Sequence, residues 1–263
     1  MSELLRVVLG DLATESGRLE ALLVDLPDAG WRTPTPAPGW DVATQIAHLA
    51  WTDEAAYAAA TDRQHWDDLV EEVMADPEHS IDRAALTGGA VEPQALLDRW
   101  RTSRRRLAET LREYPPGQRM PWYGPPMSST SMATARFMET WAHSRDVHQA
   151  LGATPEITDR IRHVAHLGVR ARDYAFSVHR TPPPAEEFRV DLTAPSGDLW
   201  SWGPEDAGQT VSGAAYDFCL LVTQRINRAD TSLVATGRDA NVWLNIAQAF
   251  AGPPGEGREA RGG

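Results

Sequence analysis

Across residues 1–180, apolar side chains recur at three- and four-residue steps, which is the period of buried helix faces. Leu5, Val8, Leu12, Leu19, Leu22, Leu23 and Leu26 mark one amphipathic helix, closed by Pro27 and Gly30. After the Pro-rich segment Thr33 to Gly39, Asp41 stands where its carboxylate can cap a second helix. That helix is expected from about Val42 to about Ala60, carrying Ile46, His48, Leu49 and Trp51. The acidic stretch Arg63 to Ala75 is mildly helical, and Gly88-Gly89 is expected to break the chain. Leu96, Leu97, Trp100, Leu107 and Leu111 define the buried side of a long helix from Pro93 to Tyr114, whose Arg104-Arg105-Arg106 run reads as a solvated face. A Pro- and Gly-rich loop, Pro115 to Pro126, leads into a helix from Ser128 to Leu151, and a further helix spans about Ile157 to Val178.

The pattern changes at Thr181-Pro182-Pro183-Pro184, which has the stiffness of a linker. Phe188 to Thr193 and Leu199 to Trp202 alternate with period two around the turn residues Pro195 to Asp198, so they predict a β-hairpin. Gln209 to Ser212 adds a short strand, and helices follow at about Ala214 to Asn227 and Ala240 to Phe250. The fold class is therefore mainly α: a helical bundle over 1–180, a small α+β domain over 185–252, and a disordered tail over 253–263.

Twenty-five basic residues against thirty-seven acidic ones give a net charge of −12, which argues against nucleic acid as a partner because phosphate binding needs a basic surface. The single cysteine, Cys219, excludes an intramolecular disulfide and a Cys-rich zinc site; its apolar neighbours mark it as an inert core thiol. The first twenty residues lack a basic segment followed by an apolar block, and no uncharged apolar run approaches the roughly 18 residues of a membrane span. A soluble cytoplasmic protein, bound to no membrane, is the expectation.

The chemistry concentrates in Phe137-Met138-Glu139-Thr140-Trp141-Ala142-His143. Glu139 and His143, four apart on a helix, share a face one turn apart, and a carboxylate and an imidazole so placed can converge on one divalent ion. A third ligand must come from another helix, and His48 is the candidate, since it stands alone in the apolar turn Ile46-Ala47-His48-Leu49-Ala50. Asp146, three past His143, could orient a ligand or act as a base. Arg136 could hold a substrate carboxylate or pair with Glu139 along its helix. Trp40 and Trp141 are either pocket walls or core; Asp53 and His148 point less well toward the site.

Gly39-Trp40-Asp41 followed by His48-Leu49, together with Met138-Glu139-Thr140-Trp141-Ala142-His143, resembles the DinB-like metal-binding bundle superfamily. The nearest likeness is its actinobacterial branch related to mycothiol-dependent maleylpyruvate isomerase. The resemblance covers about residues 1 to 180 and implies a four-helix bundle of up-down-down-up type. Trp200-Ser201-Trp202-Gly203-Pro204 and Asp217-Phe218-Cys219-Leu220 resemble, less specifically, that family's small C-terminal domain. The likeness implies that His48, Glu139 and His143 hold a divalent metal, usually zinc, and that mycothiol or a similar low-molecular-weight thiol is the cosubstrate. It also implies an arginine of the C-terminal domain in contact with an anionic substrate; Arg225 and Arg228 are the candidates.

Three protein ligands leave coordination positions open, as in catalytic rather than structural sites. The leading expectation is a thiol-dependent transferase or isomerase acting on a small electrophilic molecule. A hydrolase using bound hydroxide and a non-catalytic metal- or ligand-binding protein are the alternatives. A homodimer is compatible with such a bundle. No motif identifies the substrate, and the acidic segment around 62–82 could reshape the pocket mouth.

Overall fold

The structure, a computed structural model, describes residues 1–255 and 257–262. The chain divides into two compact units, residues 1–155 and 156–263.

In the first unit, α1 (Glu3–Ala21) starts at Ser2, whose hydroxyl accepts the Leu5 N–H at 3.2 Å. A short α2 (Asp28–Trp31) leads to α3 (Val42–Thr61), where the Asp41 carboxylate accepts the Thr44 N–H at 2.8 Å, as the sequence predicts. Then come α4 (Arg63–Ala75), α5 (Ser80–Gly89), α6 (Pro93–Glu113) and α7 (Ser129–Ala150). The long helices α1, α3, α6 and α7 make the bundle: α3 packs on α6 and α7, and α1 packs on α7. Leu19, Leu23, Ile46, Leu49, Leu96, Leu97, Trp100 and Val147 form one core, and Leu5, Val8, Leu107, Leu111 and Met132 are part of another. Burial of this apolar surface is the main stabilising term.

Three details differ from expectation. The first helix stops at Ala21, and Leu22, Leu23 and Leu26 continue in turns; Leu23 still enters the core, which is why the apolar period outlasts the helix. Gly88-Gly89 does not break the chain but ends α5. A Cβ on Gly89 would come within 3.0 Å of the Thr44 backbone nitrogen, so the glycine permits close packing of α5 on α3. The arginine run is only partly a solvated face: Arg104 lies over the Trp100 ring at 4.4 Å and bonds Glu20, and Arg106 lies over Tyr57 at 4.3 Å.

The second unit begins earlier than the expected boundary near residue 180. The single helix expected over Ile157 to Val178 is a 3-10 turn at Asp159–Ile161, then α8 (Arg162–Arg170) and α9 (Arg172–Val178). These belong with the second unit because they pack on its later elements. The Cys219 thiol donates to the Ile161 carbonyl at 3.4 Å, and Gly168 sits so close that a Cβ would meet Val222 at 2.9 Å and Phe218 at 3.0 Å. The hairpin forms as predicted from β1 (Arg189–Thr193) and β2 (Leu199–Trp202), antiparallel with Asp191 opposite Ser201. β3 (Thr210–Ala214) lies parallel to β1, and α10 (Ala215–Val222) follows it. An unforeseen β4 (Val234–Thr236) completes the order β2-β1-β3-β4, ahead of α11 (Arg238–Ile246). In the tail, the Arg258 carbonyl accepts from Asn227 at 2.7 Å and the Arg261 N–H donates to Asp230 at 3.0 Å; Glu256 and Gly263, part of the segment expected to be disordered, lie outside the described residues. No helix among the described residues is long and apolar enough to cross a membrane.

Candidate metal centre

Helices α3 and α7 differ from the others in being buried almost all round. For α3 composition is the main cause, since six of the nine residues from Val42 to Ala50 are apolar, with Thr44, Gln45 and His48 buried among them. α7 is different: Arg136, Thr140, His143, Ser144, Arg145, Asp146 and His148 are polar and buried. A polar helix inside a bundle must satisfy those groups, and the partners it finds divide them by role.

His48 from α3 meets Glu139 and His143 from α7. One donor atom from each lies within 4.8 Å of the others. His48 Nε2 stands 3.5 Å and His143 Nε2 3.2 Å from the same Glu139 oxygen, Oε2. The two imidazole centroids are 4.6 Å apart. Burial opposes ionisation of Glu139, but hydrogen bonds and charge from His143 and His48 outweigh it and hold the carboxyl well below the usual carboxylate range. The three residues singled out in the sequence are thus brought together.

Gln45, which sequence reasoning did not single out, fixes the histidine. Its Nε2 donates to Thr35 Oγ1 at 2.9 Å, and Thr35 Oγ1 donates to the Trp40 carbonyl at 2.9 Å. That orientation turns Gln45 Oε1 toward His143 Nδ1, so Nδ1 carries a proton; Nε2, which donates to Glu139 in the charged imidazole, is the nitrogen whose lone pair becomes available when that proton leaves. The only sequence signal for this role is an amide one turn before His48, in an otherwise apolar stretch. Trp40 flanks both imidazoles, its centroid 5.3 Å from His48 and 5.9 Å from His143, and so walls the site. Trp141 is core, 1% exposed.

The donor set fits a divalent ion of the zinc class: one carboxylate oxygen and two imidazole nitrogens, one of them with its tautomer set by an outer partner. His48 Nδ1 is buried and has no hydrogen-bond partner among the described residues. The tautomer of His48 is therefore not fixed by an outer partner as that of His143 is.

Other candidates fall elsewhere. Arg136 pairs neither with Glu139 nor with an open pocket: its Nε donates to Asp53 Oδ1 at 2.8 Å, both side chains buried. Burial pushes the Asp53 carboxyl up, against the opposing pull of Arg136. Asp146 is buried on α7, yet it is not one of the donors grouped within 4.8 Å. His148 turns back to its own helix, Nδ1–H donating to the Ser144 carbonyl at 2.7 Å. In the second unit, Arg225 Nη1 donates to the Thr223 carbonyl at 2.6 Å, while Arg228 is held by Asn241 and Asn245. Cys219 is fully buried, and burial pushes its thiol well up, as an inert core thiol requires.

Comparison with known proteins shows the family of the chain. The sequence model described as mycothiol maleylpyruvate isomerase N-terminal domain matches residues 12–148, which hold all three donors. The chain belongs to that family. Within this DinB-like family, two uncharacterized proteins from two strains of Mycobacterium tuberculosis are 54% identical over 248 residues, covering 94% of this chain and 96% of theirs. The crystal structure of the mycothiol-dependent maleylpyruvate isomerase superposes with a TM-score of 0.61 at 19% identity, covering 89% of this chain and 95% of that one; a mutant of the same enzyme gives the same figures. At that identity the likeness establishes the shared fold, a helical bundle with a small C-terminal sheet domain. A second sequence model, described as wyosine base formation, matches residues 184–236.

Proposed function

We propose that the protein binds one divalent metal ion, zinc in the simplest case, through His48, Glu139 and His143, and works as a thiol-dependent transferase or isomerase on a small electrophile. The observation that carries the metal reading is the convergence of three electron-pair donors within 4.8 Å, with His143 held in the ligating tautomer by Gln45. Membership in the isomerase family supports a mycothiol-type thiol as the cosubstrate. A bound divalent ion supplies positive charge that lowers the pKa of a thiol and makes a nucleophile available near neutral pH.

The protein's own part is positional. Glu139, held ionised by its histidines, provides the negative charge that anchors a cation. Trp40 covers both imidazoles and limits access of water on that side. Asp146 and Arg225 are proposed as catalytic groups, the first as a base or orienting carboxylate and the second as a contact for an anionic substrate.

Elemental analysis of the purified protein and of His48→Ala tests the metal. About one ion per chain, lost in the variant, is expected; unchanged content in the variant removes the proposal. Calorimetric titration of thiol into loaded and chelated protein tests the cosubstrate, with binding expected only to the loaded form. Turnover of an electrophile that proceeds fully without thiol rules out the transferase and isomerase reading. Asp146→Asn and Arg225→Ala are expected to lower turnover at undiminished metal content.

A further inference from the structure

Pro34, Pro36 and Pro38 stiffen the segment that leads into α3, because each proline fixes its own φ and restricts the residue before it. Pro38 and Gly39 form the centre of a turn closed by the Trp40 N–H on the Ala37 carbonyl at 3.0 Å, with Gly39 at φ +76° as such a turn requires. The turn folds the segment back on itself. Pro34 then bridges Asp41, and the Thr35 N–H donates to the Trp40 carbonyl at 2.8 Å. The Thr35 hydroxyl is held beside that same carbonyl, 2.9 Å away.

This contact has only one possible direction. Two oxygens 2.9 Å apart need a proton between them, and a carbonyl has none to give. The single hydroxyl proton of Thr35 is committed to Trp40, so toward Gln45 Nε2, 2.9 Å away, Thr35 can only accept. Gln45 is fully buried. An amide turned the other way would set its oxygen, unpaired, against a hydroxyl with no proton left to donate. The amide oxygen is thereby directed to His143 Nδ1, and Nε2 is left as the ring nitrogen for a metal.

Trp40 completes the circuit. Its carbonyl takes the Thr35 proton, while its ring stacks on the His143 imidazole at an interplanar angle of 17°. One preorganised loop thus holds the edge of the histidine, through Gln45, and covers its face.

We propose that Thr35 is a positioning residue of the metal centre: through Gln45, its hydroxyl decides which nitrogen His143 offers to the ion. The inference rests on the metal reading above. A valine at this position has nearly the same shape but neither the lone pair nor the proton. Gln45 can then turn an N–H toward Nδ1 and leave the ring proton on Nε2, the nitrogen that must be bare for a metal. Reversing that turn opposes uptake of the ion.

The test compares the zinc affinity of wild type, Thr35→Val, Thr35→Ser, Gln45→Leu and the double variant, by competition with a chromogenic chelator. Thr35→Val is expected to bind zinc about tenfold more weakly. Thr35→Ser, which keeps the hydroxyl, is expected to stay at wild-type affinity. In the Gln45→Leu background Thr35→Val is expected to change nothing further, because the hydroxyl acts only through the amide; general loosening of the loop would add its loss to that of Gln45→Leu. Zinc bound equally by wild type and Thr35→Val, or additive losses in the double variant, overturns the role of Thr35 alone. Zinc absent from wild-type protein would sink the metal reading, and this inference with it. In metal-free wild type, nuclear Overhauser contacts of the Gln45 side-chain N–H protons are expected with the Thr35 methyl. Contacts with the His143 ring in their place overturn the inference even if Thr35→Val does not fold.

Discussion

Helices α3 and α7 meet at two polar clusters about one turn apart, and the two are built on opposite principles. At the first, the Arg136 guanidinium meets the Asp53 carboxylate at 2.8 Å and the Leu49 carbonyl at 3.5 Å. Cation and anion both come from the chain, and the cluster closes on itself. At the second, Glu139, His48 and His143 offer a carboxylate and two imidazoles, all electron-pair donors, to one point. A complementary pair needs nothing further; a set of like donors has a use for a cation from outside. Polar residues buried on the same two helices therefore divide into architecture and chemistry by what they meet, not by their type.

The sharpest way to break this contrast is to remove one side of the closed pair. Asp53→Ala leaves the Arg136 guanidinium, 1% exposed, without its carboxylate, and is expected to cost about 3–5 kcal/mol in urea unfolding of the metal-free protein. Arg136→Met is expected to cost less. Burial has already raised the Asp53 pKa, so a carboxyl left alone there can take up a proton and become neutral. Equal costs for the two variants, or less than about 1 kcal/mol for Asp53→Ala, would show that the pair is not the bundle's internal support.

How much of this was legible in the sequence follows the same division. The donors could be read because they obey local rules: Glu139 and His143 through helical spacing, His48 as an isolated imidazole in an apolar turn. The Asp41 cap and the β1–β2 hairpin were legible for the same reason. What could not be read depends on partners far along the chain. Arg136 finds Asp53 at a separation of 83 residues, and His143 finds Gln45 at 98; no spacing rule links them. The domain boundary was misplaced because the turn at Asp159–Ile161 and α8 have helical periodicity wherever they dock, and only packing on Phe218, Cys219 and Val222 shows where that is. β4, three residues long, lies below the length at which alternation can be recognised.

A smaller effect is expected one step out from the donors. Gln45→Leu keeps the volume and apolar surroundings of α3 but removes the acceptor for His143 Nδ1–H, releasing the ring and its tautomer. Such outer partners are worth about 10–100-fold in metal affinity, which is about 1.4–2.7 kcal/mol. Competition against a chromogenic chelator measures it, and Gln45→Glu, which retains an acceptor oxygen, is expected to keep most of the affinity. Wild-type affinity in Gln45→Leu would mean that His143 needs no outer partner, and the contrast between the clusters would rest on the three donors alone.

The least of the expected effects concerns His148, a histidine on α7 that behaves like the closed pair rather than the proposed metal ligands. Its Nδ1–H is satisfied by the Ser144 carbonyl, and burial, with the nearby charge of Arg145 adding to it, lowers its pKa. The unfolded chain takes a proton at this residue near pH 6.5, whereas the folded chain does so only at lower pH. Between those values the unfolded state holds more protons, so the stability His148 contributes is full above about pH 6.5 and is lost as pH falls through that range toward the folded value. The urea midpoint of metal-free protein is therefore expected to decline between about pH 7.5 and 5.5, and His148→Gln is expected to remove part of that slope while His166 in the second unit supplies another part of the same sign. Metal-free protein is the right material, because protons would compete with metal at the proposed ligands His48 and His143 and add a slope of their own. An undiminished slope in His148→Gln would leave His166 of the second unit to account for it, and would mean that burying a histidine against its own helix carbonyl costs the bundle nothing as pH falls.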